Sequence, residues 1–321
     1  MRIVLASAVV IFLMSFTLSE VTRYVYEHDG LHVEYGKEHG VLNSRYVSYW
    51  PNGRKKAEGE MKGNMRFGDW QIYDSTGNLI MARTYETGYS WTQLYPIEFQ
   101  PKSSKGWFGD RYSLYVDIKP DSVIHSVRIW RLLQYNEYSP IFQANALLDT
   151  IIAMRDRGKL DVGADDEMKT LSTMEEFHGR IDKCNSQHHV IGYRLKEDWY
   201  YDAKKQMGIF GVIAICPVLY ARNERDSIDL GWIPYNAALR NKMGTMFFVP
   251  KFSTGFPIGV EQTFFLRCFE STVYKTSNVK NYTIAQMFPD PKERSNEEER
   301  MEIQPLEWEL DHWVDEFSHK H

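Results

Sequence analysis

Cysteine is scarce in this chain, and the scarcity removes one class of architecture. Three cysteines, Cys184, Cys216 and Cys268, occur in 321 residues. The number is odd, so at most one internal bridge can form, and the set does not resemble a disulfide framework. Cys216 lies in an apolar run and reads as a small buried hydrophobe; all three are expected as free thiols. Positive charge is not in excess either. Lys and Arg number 38 against 43 Asp and Glu, a formal net charge of -5, so no global basic field favours nucleic acid or anionic lipid. Motifs for nucleophilic, phosphate and zinc chemistry are missing: there is no Gly-x-Ser-x-Gly, no phosphate-binding glycine loop and no His-Glu-x-x-His. The uncharged apolar run from Ile3 to Leu18 spans sixteen residues, short of the roughly 20 that a membrane helix needs.

What is present reads as a folded, two-domain protein. Hydrophobic residues make up 43% and charged residues 25%, a globular profile on a chain long enough for two cores. Aromatics reach 14%, with 20 Tyr and 9 Trp, and such residues suit interfaces because they join apolar area to a polar handle. Arg2 followed by the apolar run reads as an export signal. Thr17 and Ser19 place small residues at -3 and -1 of a cut before Glu20. The expectation is a signal peptide over 1–19 and a mature chain in the periplasm, against the alternative of an uncleaved anchor helix. No cysteine lies near the cut, so nothing points to a lipid anchor.

Residues 20–95 carry short recurring modules. Tyr49-Trp50-Pro51-Asn52-Gly53 and Tyr73-Asp74-Ser75-Thr76-Gly77 share Tyr-x-x-x-Gly at an offset of 24 residues, with Gly68-Asp69-Trp70 between them. A weaker copy runs from Gly40 into Tyr46. Such a period implies small units that stack to bury a face, and Asn52-Gly53 is a hairpin signal. The segment is similar to MORN-type repeats over about 60 residues, which implies antiparallel β-hairpins used as a contact surface; an ordinary β-meander with no separate role is the alternative. Residues 96–121, punctuated by Pro96, Pro101 and Pro120, read as a linker.

From 122 to 321 the pattern is mixed α/β, so the fold class expected overall is α+β. Apolar spacing predicts helices over Ile141–Arg157 and, behind Ser172-Thr173 and Glu175-Glu176, over Leu171–Ile181. Met207–Tyr220 predicts a buried strand and Trp232–Arg240 turns helical after Pro234. Thr263–Tyr274 predicts a helix with Phe264, Phe265, Phe269 and Val273 as its stripe. Pro289–Glu302 reads as a solvated loop or the start of the last helix. Beyond Pro305, Leu306, Leu310, Trp313 and Phe317 mark a terminal amphipathic helix.

Four phrases in this half resemble the GldN/PorN family in the same order over about 130 residues. They are YRLKEDWYYD (Tyr193–Asp202) running into GIFGVIAICPVLY, GWIPYNAALR (Gly231–Arg240), FFLRCFESTVYKTSNVKN (Phe264–Asn281) and the closing LEWELDHWV. Tyr201 stands where the family pattern has phenylalanine, and the MORN-like front is not part of the usual family domain. The resemblance implies a structural subunit, without catalytic activity or cofactor, of the periplasmic ring of a type IX secretion and gliding machinery. It also implies partners: further copies of the chain, an outer-membrane lipoprotein of the GldK/PorK type, and inner-membrane motor components. Core ring subunit and accessory paralogue both remain open. Rings need heterologous contacts, and Trp199, Tyr200, Tyr201, Trp232 and Tyr235 are the candidate interface residues, with a plain core role as their alternative.

Other chemistry is weaker. Cys184 with His188 and His189 lacks the second ligand pair of a structural zinc site, and its polar neighbours suggest an exposed loop. Asp161, Asp165, Asp166 and Glu167 lack the EF-hand pattern and read as a solvated loop. Glu197 and Asp198, with Glu307, Glu309 and Asp311, could serve as paired carboxylates in a hydrolase acting on cell-wall glycans. That hydrolase and a MORN-type immunity protein are the alternative functions.

Overall fold

The computed structural model describes residues 21–28, 30–85, 120–137, 139–184, 190–204, 207–223, 225–248, 258–265 and 267–318. The expected signal peptide, nearly all of the 96–121 linker and His188 and His189 lie outside the described residues. No helix among the described residues is long and apolar enough to cross a membrane.

The front region is a meander of six antiparallel strands: β1 (Thr22–His28), β2 (Leu31–Glu38), β3 (Val41–Tyr49), β4 (Lys55–Lys62), β5 (Met65–Tyr73) and β6 (Leu79–Tyr85). They lie in the sheet in chain order. Alternation sets the buried face: in β2, Val33 and Tyr35 are buried while Glu34 between them is exposed. Trp70 fills the centre by lying directly on Gly59, where a Cβ would come within 2.3 Å of the indole. The 24-residue recurrence has a geometric counterpart. Trp50–Arg54 and Asp74–Asn78 both close hairpins, with Gly53 at φ 80° and Gly77 at φ 94°. The two turns also lie side by side, since Trp50 Nε1 donates to the Tyr73 carbonyl at 3.1 Å and Asn52 Nδ2 to that of Ser75 at 2.8 Å.

The second region opens with β7 (Val123–Gln134), followed by α1 (Ala146–Asp156) and α2 (Met174–Ile181). A long hairpin comes next, β8 (Val190–Asp202) and β9 (Met207–Tyr220), then β10 (Ser227–Asp229) and β11 (Ile233–Pro234). The chain continues through α3 (Ala237–Met243), β12 (Phe247–Phe248), β13 (Ile258–Gly259), α4 (Val260–Phe265), β14 (Ser271–Thr276), α5 (Ile284–Met287) and α6 (Pro291–Ser318). The main sheet has the order β10-β9-β8-β7-β14, with β11 also on β9. The α+β class expected from the sequence is therefore the class found.

Several local expectations hold. Thr173 and Glu176 form a reciprocal capping box at α2, β9 covers Met207–Tyr220, and α3 follows Pro234. The helix expected over Ile141–Arg157 is divided, with a 3-10 turn at Pro140–Asn145 before α1. The helix expected over Thr263–Tyr274 does not form. α4 stops at Phe265, Arg267 turns the chain at φ 54°, and Ser271–Thr276 becomes the edge strand β14 beside β7. Phe264 and Phe269 stay in the helical core while Val273 joins a different cluster, so no single stripe could satisfy all of them. Pro289–Glu302 resolves in favour of helix: Asp290 Oδ1 accepts from the N–H groups of Lys292 and Glu293 at 2.9 and 3.0 Å, capping α6.

One face of the main sheet carries two apolar clusters. At one end Leu133, Tyr193, Leu195 and Ile215 pack on α1 to α4. At the other, Ile129, Trp199, Tyr201 and Val273 pack with Leu310 and Trp313 of α6 and with the front sheet's Val33, Tyr46 and Trp70. α6 is thus a middle layer between two sheets. A small third cluster, Trp130, Ala214, Cys216 and Trp232, lies on the opposite face of the main sheet.

Candidate functional site

Strand β8 holds most of the first family-like phrase, and its pleat divides that phrase in two. Tyr193, Leu195, Glu197, Trp199 and Tyr201 share one face, and Arg194, Lys196, Asp198 and Tyr200 the other. Glu197 is 0% exposed and stands between the two apolar clusters. A carboxylate there survives only with countercharges. Arg267, from the turn after α4, supplies two bonds at 2.8 and 3.2 Å. Arg131 of β7 pairs with the same carboxylate and reaches on to Glu302 of α6. The Arg267 guanidinium also lies 3.7 Å from the centroid of the Phe210 ring. Burial pushes the Glu197 carboxyl upward, but Arg267 and Arg131 together outweigh it and hold the group below the usual range. The result is a quartet of two cations and two anions, with Arg131, Glu197 and Arg267 buried and Glu302 half-buried.

The other family-like phrases are joined in the same manner. Glu261 of α4 accepts from Tyr235 Oη at 2.7 Å and from Arg240 Nε at 3.1 Å. Burial still raises the Glu261 carboxyl against the pull of these two partners. Trp313 Nε1 donates to Tyr201 Oη at 2.9 Å. Trp308 stacks on His125 at 4.6 Å and leans on Tyr201 at 5.1 Å.

The opposite side of α6 is a row of acceptors for the front sheet. Glu299 takes Lys37 at 3.1 Å together with Tyr35. Glu307 takes Tyr46 at 2.7 Å and Lys56 at 2.9 Å, Asp311 shares Lys56, and Glu309 pairs with Arg66 at 2.9 Å. The Arg66 and Arg83 guanidiniums lie 4.8 and 5.6 Å from the Trp313 ring.

The five candidate interface residues are not gathered on one surface. Trp199, Tyr200, Tyr201, Trp232 and Tyr235 are between 0% and 7% exposed and enter the interior of this chain. Trp199 and Tyr201 pack under α6, Trp232 joins the third cluster and Tyr235 the helical core. Tyr200 lies on the opposite face of β8.

Of the carboxylates considered for hydrolysis, Glu307 and Asp311 share Lys56 and Glu309 pairs with Arg66, while the leading pair is split. Glu197 and Asp198 point to opposite faces, Asp198 into a two-bond pair with Arg128 at 2.8 and 2.9 Å, so they cannot flank one glycosidic bond. Nor is Glu197 beside Trp199 a surface group, as acidic residues next to tryptophan often are.

Cys184, read from its neighbours as part of an exposed polar loop, is buried. Its reason is local: it closes the end of α2 and joins the helical core. The acidic loop is solvated as expected, with Asp161, Asp165 and Glu167 exposed and Asp166 half-buried, and two of its carboxylates are tied to the main sheet. Asp166 pairs with Lys275 at 3.3 Å and Glu167 with Lys196 at 3.2 Å, with both lysines over the Trp130 ring. Burial pushes the Cys216 thiol up to about 12 and that of Cys268 up to about 11. Among the described residues no group of three or more His, Cys, Asp or Glu side chains is placed to hold a metal ion.

Sequence reasoning missed Arg131 and Arg267 as the partners of Glu197. A signal existed, because each is a cation flanked by apolar residues, Arg131 in IWRLL and Arg267 in FFLRCF, and such a charge must meet an anion once buried.

A family model described as "Gliding motility associated protein GldN" matches residues 118–314, about three fifths of the chain. The matched span takes in the main sheet, its helices and most of α6, and leaves the front sheet outside. No curated protein matches the chain.

Proposed function

The chain belongs to the GldN family of gliding motility associated proteins, and on that premise we propose that it is a non-catalytic subunit of the periplasmic ring of a type IX secretion and gliding machinery. It assembles there with further copies of itself and with an outer-membrane lipoprotein of the GldK/PorK type, and it meets inner-membrane motor components. The apolar run after Arg2 supports export to that compartment, and the front sheet adds a contact surface to the family domain.

The observation that carries this reading is where the family-like segments spend their polar groups. Glu197 with Arg267, Tyr235 and Arg240 with Glu261, and Trp313 with Tyr201 satisfy one another inside the fold. A subunit whose work is assembly needs its distant segments fixed against one another. A hydrolase needs a carboxyl able to take up and release a proton near neutral pH, and Glu197 is held ionised by two guanidiniums.

The test is isolation of the tagged protein from outer-membrane fractions in detergent, followed by mass spectrometry and electron microscopy. Co-isolation with one dominant lipoprotein in large ring-shaped particles is the expected result. Recovery without a lipoprotein and without rings would overturn the reading.

A further inference from the structure

The front sheet ends on an open edge. β1 pairs with β2 along its whole length, from Thr22 opposite Lys37 to His28 opposite Leu31, and among the described residues no strand lies on its other side. An edge of this kind presents unpaired N–H and C=O groups, and proteins commonly blunt it with a proline, a bulge or a cover. β1 has no proline, its register against β2 is unbroken, and six of its seven residues are exposed.

Its side chains have a symmetry of their own. Tyr26 points into the core, so Arg23, Val25 and Glu27 share the face turned away from α6. Val25, 66% exposed, stands midway between a cation and an anion. We propose that β1 is the seam of a twofold contact with a second copy of this chain, paired antiparallel about Val25. In that register Arg23 faces the partner's Glu27, Glu27 faces the partner's Arg23, and the two Val25 side chains meet on the axis. On the other face Tyr24 lies opposite the partner's Tyr26. Opposite charges across a strand pair stabilise it and like charges destabilise it. A parallel in-register pairing would set Arg23 against Arg23 and Glu27 against Glu27, so the charge pattern selects the antiparallel arrangement. The two front sheets then run into one continuous sheet, with both copies of α6 on the same side.

Because β1 lies outside residues 118–314, this contact and the ring reading can fail separately. The test is sedimentation of the full-length protein over a concentration series. The wild type should dimerise, and Arg23→Glu and Glu27→Arg should each weaken the dimer by about tenfold or more, since two symmetric pairs change from attraction to repulsion. Mixing the two variants in equal amounts should restore association, as should the double variant Arg23→Glu/Glu27→Arg alone. Val25→Cys should crosslink to itself under mild oxidation. A protein that stays monomeric at the highest attainable concentration would overturn the proposal. So would a dimer indifferent to both charge reversals, or a Val25→Cys protein that crosslinks only to a different protein.

Discussion

In the front sheet every strand pairs with its neighbour in the chain, from β1 through to β6, and one helix covers the buried face. In the main sheet the edge strand arrives from far away, with Ser271 set opposite Leu133, and helices cover much of one face besides α6. The two regions are fixed by different devices. Short hairpins close small loops at little entropic cost, and their turn residues dictate where the chain reverses. A strand recruited from a distance has no such local guide. In its place an ionic quartet centred on the buried Glu197 ties β7, β8, the turn before β14 and α6 to one another. Local chemistry orders the front sheet, and paired charges order the main one.

The largest expected effect tests the quartet. Glu197→Ala leaves Arg131 and Arg267 buried with one anion fewer, and breaking a buried pair in this manner costs about 3–5 kcal/mol. Urea unfolding, followed by tryptophan fluorescence, should register the loss; a change of a few tenths would mean that the quartet does not hold the main sheet together. The pH dependence has a defined sign. Glu197 lies below its ordinary value in the folded chain, so its stabilisation is complete above the usual carboxylate range and is lost as the pH falls through the folded value. Glu197→Ala should lose that part of the acid slope.

A second effect, of about 2–5 kcal/mol, is expected for Leu310→Ala, which empties a site that is 0% exposed between the two sheets. The loss should be unequal. The main sheet keeps its packing on α1 to α4, whereas the front sheet has α6 as the cover of its apolar face. Hydrogen exchange should therefore show amide protection falling further in β2 to β5 than in β8 and β9. Equal loss in both would mean that the two sheets open together as one unit, with no difference in local stability between them.

The same difference governs what could be read from the sequence. The front hairpins were legible because Asn52-Gly53 and Asp74–Gly77 carry the turn chemistry in a few adjacent residues. The capping box at Thr173 and Glu176 was legible for the same reason. Gly53 makes the point measurable: at φ 80° an alanine costs about 1–2 kcal/mol, and a lower melting temperature for Gly53→Ala should report it. By contrast, Arg131 and Glu197 are 66 residues apart, and Arg267 and Glu197 are 70. No spacing rule joins them. Of the five aromatics held for an interface, Trp199, Tyr201, Trp232 and Tyr235 fill three separate clusters, because the number of tyrosines and tryptophans reports how much area is available, not which face it lands on. Ser271–Thr276 became a strand because the edge of β7 was vacant, a fact that exists only after the sheet forms.

The smallest effect isolates a single front-sheet turn from everything around it. Asp74 sits at the surface of a tight turn, and the turn's hydrogen bonds act on its carboxyl more strongly than burial does. The Thr76 hydroxyl donates to Asp74 Oδ1 at 2.7 Å, and the N–H groups of Asn78 and Thr76 donate to the same atom at 2.8 and 2.9 Å. Hydrogen bonds to a charged carboxylate favour that form, and these hold the group at about 2. The turn's contribution is thus present above the ordinary carboxylate range and fades as the pH falls through about 2. Carboxyl chemical shifts followed through an acid titration should place the Asp74 midpoint there, and Thr76→Val, which removes the first of these donors, should move it back toward the ordinary value. An ordinary midpoint in the wild type would mean that residue-by-residue turn chemistry is not what orders the front sheet.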